Sequence, residues 1–144
     1  MDNLKHVNDT FGHQAGDNVL AGVVRYVNEQ LRSRDRVFRY GGDEFLISLP
    51  GADLETGQRV VDRIRAGLAR RLLVIGPDAV GFPVTASFGL ALLDPEASIM
   101  ESVHRADQAL MLAKTAGRNK VISWDNSITT GTRWTQVNAD DAQV

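Results

Sequence analysis

Tyr40-Gly41-Gly42-Asp43-Glu44-Phe45 lies between two short apolar-rich runs, residues 36–40 and 44–49. Paired glycines between β-forming runs supply positive φ at little steric cost, so the stretch reads as a β-hairpin. Pro50-Gly51 ends its second strand. The turn also sets two carboxylates, Asp43 and Glu44, side by side. An acidic tip is an ordinary solvated feature. It is equally an oxygen-donor set for Mg²⁺, which takes one or two carboxylates plus substrate phosphates. The missing side chains of Gly41 and Gly42 would let a ligand lie against the backbone. On these residues alone the two readings stand level.

Before the hairpin, Val19, Leu20, Val23, Val24, Val27 and Leu31 recur at helical spacing and predict an amphipathic helix over 15–34. The opening Met1-Asp2-Asn3-Leu4-Lys5 is polar and suggests no element. After the hairpin, Asp53 is placed to cap a helix running to about residue 72, with Val60, Val61, Ile64 and Leu68 inward. Gly-Pro and Gly-Phe-Pro punctuation marks 75–82 as a loop. Residues 84–93 read as a buried strand, and Ser98 begins a helix that ends near Gly117. A short strand over 120–124 follows. Residues 125–144 are polar and aperiodic and are expected to be a disordered tail. The order helix, hairpin, helix, strand, helix, strand predicts an α/β (α+β) sandwich. Helices pack on a mostly antiparallel sheet in one domain, residues 1–124.

The 144 residues are 43% hydrophobic and 24% charged, an ordinary globular balance. A net charge of −2 argues against general attraction to nucleic acid or an anionic membrane, so a phosphate site needs a few local cations. The absence of cysteine excludes disulfides, thiolate metal sites and cysteine nucleophiles. His6, His13 and His104 lack zinc-ligand spacing, and no G-x-x-x-x-G-K-[ST] loop is present.

Other stretches join the hairpin in one pattern. They are Asn8-Asp9-Thr10-Phe11-Gly12-His13 with Gly16-Asp17, then Arg32-Ser33-Arg34-Asp35, Ser87-Phe88-Gly89, Arg105-Ala106-Asp107 and Lys114-Thr115-Ala116-Gly117-Arg118-Asn119. In this order and at these separations the chain resembles the GGDEF family, the catalytic domains of diguanylate cyclases. The resemblance runs from residue 2 to about 124. It implies a fold like adenylyl cyclases and polymerase palms, a bacterial signalling role, and a cytoplasmic location. It also implies a reaction in which two GTP-loaded domains meet, each 3′-hydroxyl attacking the other's α-phosphate. The products are cyclic di-GMP and two pyrophosphates.

Residue by residue, the resemblance makes Asp43 a metal ligand for Mg²⁺ (or Mn²⁺), and Glu44 a second ligand or the general base. Asn8 and Asp17 match guanine contacts. A carboxylate accepts from guanine N1–H and N2–H₂, donors that adenine lacks. A turn role for Asn8 and an N-cap role for Asp17 remain the plain alternatives. Lys114 and Arg118 match phosphate-holding cations; four apart at a helix end, they can project to one side, or simply complement the helix dipole. Lys5 is a weaker phosphate candidate. Arg32 and Asp35 match an inhibitory RxxD site for cyclic di-GMP, with Arg63 placed to complete it, although such a cluster is also ordinary at a surface.

The resemblance also places a further metal-binding aspartate upstream of Met1, on a strand of the sheet. Asp2 is not expected to replace it, since a shift of register turns a strand's side chains to the other face. This chain alone is therefore expected to make little product. Within the family pattern the partners are GTP, cyclic di-GMP and a second such domain. The competing expectation is a non-catalytic module that senses cyclic di-GMP through Arg32 and Asp35.

Overall fold

Leu4, Val7 and Phe11 fall at i, i+3 and i+7 of a helix in the computed structural model, α1 (Leu4–Phe11), with Leu4 and Val7 buried and Phe11 44% exposed. The model describes residues 1–75, 80–125 and 128. The helix is hard to see in the sequence because five of its eight residues are polar and only Leu4, Val7 and Phe11 are apolar. Its burial is decided by tertiary packing: α1 lies on α2 (His13–Gln30), with Gly12 at φ 86° turning the chain between them. Helix α2 starts earlier and stops earlier than its spacing predicts. Leu31 at φ −94°, ψ 155° leaves the helix and frees residues 32–35 for a turn.

The hairpin forms as expected. Strands β1 (Arg36–Arg39) and β2 (Phe45–Ser48) pair antiparallel, with Arg39 opposite Phe45 and Arg36 opposite Ser48. Asp53 caps α3 (Leu54–Ala69) by accepting from the Thr56 N–H at 2.8 Å. The helix stops short of residue 72 because Leu72 belongs to a strand. There β3 (Leu72–Ile75) pairs antiparallel with β4 (Val80–Pro83), which corrects the loop expected over 75–82. The Gly76-Pro77 part of that expectation lies outside the described residues. Opposed Leu73 and Phe82 pack against the core, while Leu72 and Val74 point outward at 65% and 60% exposure. With apolar residues on both faces, no in–out alternation betrays the strand.

The long strand expected over 84–93 is only β5 (Phe88–Leu90); residues 84–87 carry no ladder. Ser98 caps α4 (Ile99–Thr115) through the Glu101 N–H at 3.1 Å, and β6 (Val121–Ser123) then pairs with β5 in parallel. Two of the three strand pairs are thus antiparallel. Helices α3 and α4 both pack on the β5–β6 pair. A Cβ on Gly89 would come within 2.0 Å of the Ala106 carbonyl on α4, so only glycine permits that approach. The next residue, Leu90, turns to the other face and meets Gly57 of α3, as the two-residue period of a strand requires.

Helix α2 carries the core. Val19, Val23, Tyr26 and Val27 meet Ile64 and Leu68 of α3, Leu4 and Val7 of α1, and Val84 and Ala86. Each fully buried aliphatic side chain here contributes about 1.5–3 kcal/mol. The three strand pairs are separate ladders among the described residues. The first residues bridge between them: the Met1 nitrogen donates to the Asp43 carbonyl (3.0 Å) and the Asp2 N–H to the Thr85 carbonyl (3.0 Å). The hairpin tip is thereby held beside segment 84–87.

Candidate functional site

The tip is built on the main chain of Glu44, whose carbonyl accepts from the Tyr40 and Gly41 N–H groups at 2.9 and 3.2 Å. Arg39 folds back over the tip, donating to the carbonyls of Gly41 (3.3 Å) and Gly42 (2.8 Å). The positive φ expected at these glycines is corrected. Among the described glycines positive φ occurs at Gly12, Gly51 and Gly117, not at the tip. The Arg39 clasp shapes the turn instead. What the glycines supply is room, since a Cβ on Gly42 would have no neighbour within 4 Å.

Glu44 reaches α4, where its Oε1 lies 3.2 Å from Lys114 Nζ. Tyr40 belongs to the same contact region: burial raises its phenol above the ordinary value, and the carboxylates of Asp107 and Glu44 add to the effect. Lys114 sits in the last turn of α4, but Arg118 lies beyond the helix end, so the i, i+4 placement expected for the pair is corrected. Gly117 leaves the helix at φ 106°, and the Arg118 N–H returns to the Ala113 carbonyl at 3.0 Å, a Schellman closure. Arg118 and Asn119 then continue at φ 62° and 47°. A left-handed residue with a side chain costs roughly 1–2 kcal/mol. Such backbone persists where its surroundings over-determine it.

Those surroundings centre on Asp2, which is not expected to replace the upstream metal-binding aspartate and has no other role legible in the sequence. Only 6% exposed, its carboxylate accepts from Thr85 Oγ1 (2.8 Å), Ser87 Oγ (2.7 Å) and the Asn119 N–H (3.1 Å). The Asn119 N–H is shared with Ser87 Oγ at 3.1 Å, and Asn119 Oδ1 accepts from Arg65 Nη1 at 3.1 Å. A buried carboxylate needs this many donors to offset its lost hydration. The only sequence signal was Thr85 and Ser87, two hydroxyl residues spaced to share a face within an apolar run.

Asn8 lies within α1 and Asp17 within the second turn of α2, which removes the alternatives of turn residue and N-cap. Asn8 Oδ1 is buried without a hydrogen-bond partner among the described residues. It rests on Gly16, where a Cβ would stand 1.8 Å from it. Asp17 follows Gly16 and is exposed, as is Lys5 on α1. An orphaned amide oxygen beside an open carboxylate is an arrangement able to take a polar ligand.

The second group of candidates gathers where α2 ends. Asp35 Oδ2 accepts from the Arg32 N–H (2.8 Å), and the Asp35 N–H returns to the Arg32 carbonyl (3.0 Å). Arg63 of α3 donates to the Gln30 carbonyl at 2.9 Å, two residues before Arg32. Residues 32, 35 and 63 therefore share one surface, with Arg32 exposed.

Among the described residues no three histidine, aspartate or glutamate side chains converge on a common point. The Asp43–Glu44 pair fits Mg²⁺ only as a site completed by water and ligand phosphate, the usual habit of that ion. A cleft of about 460 Å³ opens elsewhere, between α1 and β4, walled by Leu4, Val7, Val19, Phe82 and Val84. None of Asp43, Glu44, Lys114 or Arg118 lines it. Among the described residues no helix is long and apolar enough to cross a membrane.

Residues 1–120 match the family model described as diguanylate cyclase, GGDEF domain. Diguanylate cyclase DosC of Escherichia coli is 36% identical over 128 residues, which cover 89% of this chain and 28% of that protein. This chain therefore spans well under a third of that relative's length. The GGDEF domain of DgcB from Caulobacter crescentus, solved in complex with c-di-GMP, superposes with a TM-score of 0.80 at 32% identity. That match covers 85% of this chain and 72% of the other. Diguanylate cyclase SiaD from Pseudomonas aeruginosa, solved with its activator SiaC, gives 0.79 at 37% identity, covering 85% and 46%.

Proposed function

The chain belongs to the GGDEF family of diguanylate cyclase domains, and from that premise we propose that it is the GTP-binding half-site of a cyclase making cyclic di-GMP. The observation that carries this reading is the Glu44–Lys114 contact, which sets the carboxylate tip beside a cation in the last turn of α4. Asn8 and Asp17 hold the guanine: the unpartnered Asn8 Oδ1 and the exposed Asp17 carboxylate supply acceptors for its N1–H and N2–H₂. Lys114 and Arg118 hold the phosphates as point charge and planar fork. The open face of Gly42 leaves space for the triphosphate against the hairpin.

Asp43 and Glu44 would hold a Mg²⁺ (or Mn²⁺) ion, which supplies charge neutralisation at the phosphates. Two such half-sites facing each other bring the 3′-hydroxyl of one GTP to the α-phosphorus of the other. The new P–O bond forms as the bond to the β-phosphate oxygen breaks, and pyrophosphate departs. The hydroxyl proton goes to a carboxylate of the tip, with Glu44 as the candidate base. The Arg32–Asp35 turn with Arg63 is the candidate feedback site for cyclic di-GMP. Arginine fits the O6/N7 edge of guanine, and a carboxylate fits the opposite edge.

Incubation with GTP and Mg²⁺, followed by chromatographic separation of nucleotides, tests the proposal. Cyclic di-GMP and pyrophosphate from GTP but not ATP support it. Binding of cyclic di-GMP without turnover favours the sensor. Failure to bind either nucleotide overturns both readings.

A further inference from the structure

We infer that Asp2, with Thr85 and Ser87, is a positioning device for Arg118, fixing where that guanidinium meets the ligand's phosphates. The inference rests on the nucleotide reading above and adds to it residues that touch no ligand.

The case begins with the backbone. Arg118 occupies the left-handed region together with Asn119, and glycine at 117 relieves only the first of three consecutive positive-φ residues. Both ends of Arg118 are pinned. Its own N–H is bonded to the Ala113 carbonyl, and the next N–H, at Asn119, is clasped by Asp2 Oδ2 and Ser87 Oγ. Fixing the nitrogens on either side of one Cα fixes the direction of its Cα–Cβ bond. Without the clasp, residue 118 would relax toward ordinary φ and carry its side chain away from the phosphates.

The second observation is the chemistry of the clasp. Both Asp2 oxygens are taken by protein donors at 2.7–3.1 Å, so the carboxylate is committed to this duty rather than to a metal. Arg65 secures Asn119 from the opposite side through Oδ1. The Arg118 side chain is exposed and has no partner among the described residues. Its order therefore comes from the main chain beneath it. Asp2 N–H also bonds to the Thr85 carbonyl, and the Met1 nitrogen bonds to Asp43, so one short segment ties the cation loop to the carboxylate hairpin.

Calorimetric titrations with GTP and with guanosine, which lacks phosphate, test this on Ser87→Ala and Asp2→Asn. Arg118→Ala and the Ser87→Ala/Arg118→Ala double variant complete the set. Loss of a positioned charge-assisted contact predicts about tenfold weaker GTP binding for Ser87→Ala, with guanosine binding unchanged. In the Arg118→Ala background the same substitution should have no further effect, and Ser87→Thr should restore GTP affinity. Equal losses for GTP and guanosine, or an undiminished loss in the Arg118→Ala background, would overturn the inference alone. Absence of GTP binding by the unsubstituted protein would remove the nucleotide reading and this inference with it. Ser87→Ala keeps the carboxylate and serves as the measure should Asp2→Asn fail to fold.

Discussion

Lys114 Nζ stands 3.2 Å from Glu44 Oε1, joining the end of α4 to the tip of the β1–β2 hairpin across 70 residues of sequence. Both side chains are about a quarter exposed, at 26% and 25%. Water screens such a pair, so its worth to folding is at most about 1 kcal/mol. Its worth to ligand binding is larger, because the ammonium can exchange a carboxylate for phosphate. Lys114→Ala should leave urea stability within about 1 kcal/mol while weakening GTP at least about tenfold by calorimetry. A large stability loss with unchanged GTP affinity would show that the contact is structural only.

Two glycine substitutions should part company. Gly16→Ala puts a methyl where Asn8 Oδ1 already lies, at 1.8 Å, so the amide must move. Preference for GTP over ATP should then fall, read as the ratio of their dissociation constants. Gly42→Ala meets no protein atom within 4 Å and should leave stability within about 0.5 kcal/mol. GTP binding should nonetheless weaken, since the methyl occupies space assigned to the triphosphate. Wild-type affinity in Gly42→Ala would place the nucleotide elsewhere.

Acid should expose the Asp94–Arg105 contact. The Arg105 hydrogen bond at 3.0 Å, followed by the Glu96 N–H, holds the Asp94 carboxyl below the ordinary carboxylate range. A depressed folded value means that the unfolded chain binds the proton more readily. The stabilisation is therefore complete above the unfolded value, near about pH 4, and drains away as pH falls through the lower folded value. Wild type should melt above Asp94→Asn at neutral pH, and the gap should close in acid below about pH 4. A gap independent of pH would mean that the charge on Asp94 contributes nothing.

Cyclic di-GMP should discriminate between the two surfaces. Arg32→Ala removes the exposed guanidinium but leaves the main-chain bond from residue 32 to Asp35 intact. Cyclic di-GMP affinity should drop about tenfold or more, with GTP affinity unaltered. Arg63→Ala should weaken cyclic di-GMP less, because Arg63 already spends one donor on the Gln30 carbonyl. Equal loss of both ligands in Arg32→Ala would merge the two sites into one.

The hairpin was legible because its signal is local: two β-forming runs, a glycine pair and a terminating Pro50-Gly51 lie within 16 residues. The caps Asp53 and Ser98 were legible for the same reason, each satisfying a helix N–H three residues on. Helix α1 and the β3–β4 pair were not. Leu4 and Val7 are buried only because α2 lies beneath them, and Leu73 faces the core only because Phe82 is opposite.

What the sequence determined by itself was the set of chemical groups and some of their local frames: the Asp43–Glu44 tip, the capping residues Asp53 and Ser98, and the glycine after α4. What only the tertiary structure decided was which of these meet. Glu44 with Lys114, Arg63 with the end of α2, and Asp2 with Asn119 are joined across 70, 33 and 117 positions. The physical reason is that a turn or cap is fixed by bonds between near neighbours. A hydrogen bond to a buried carboxylate such as Asp2 exists only once packing has excluded water and brought distant donors within about 3 Å.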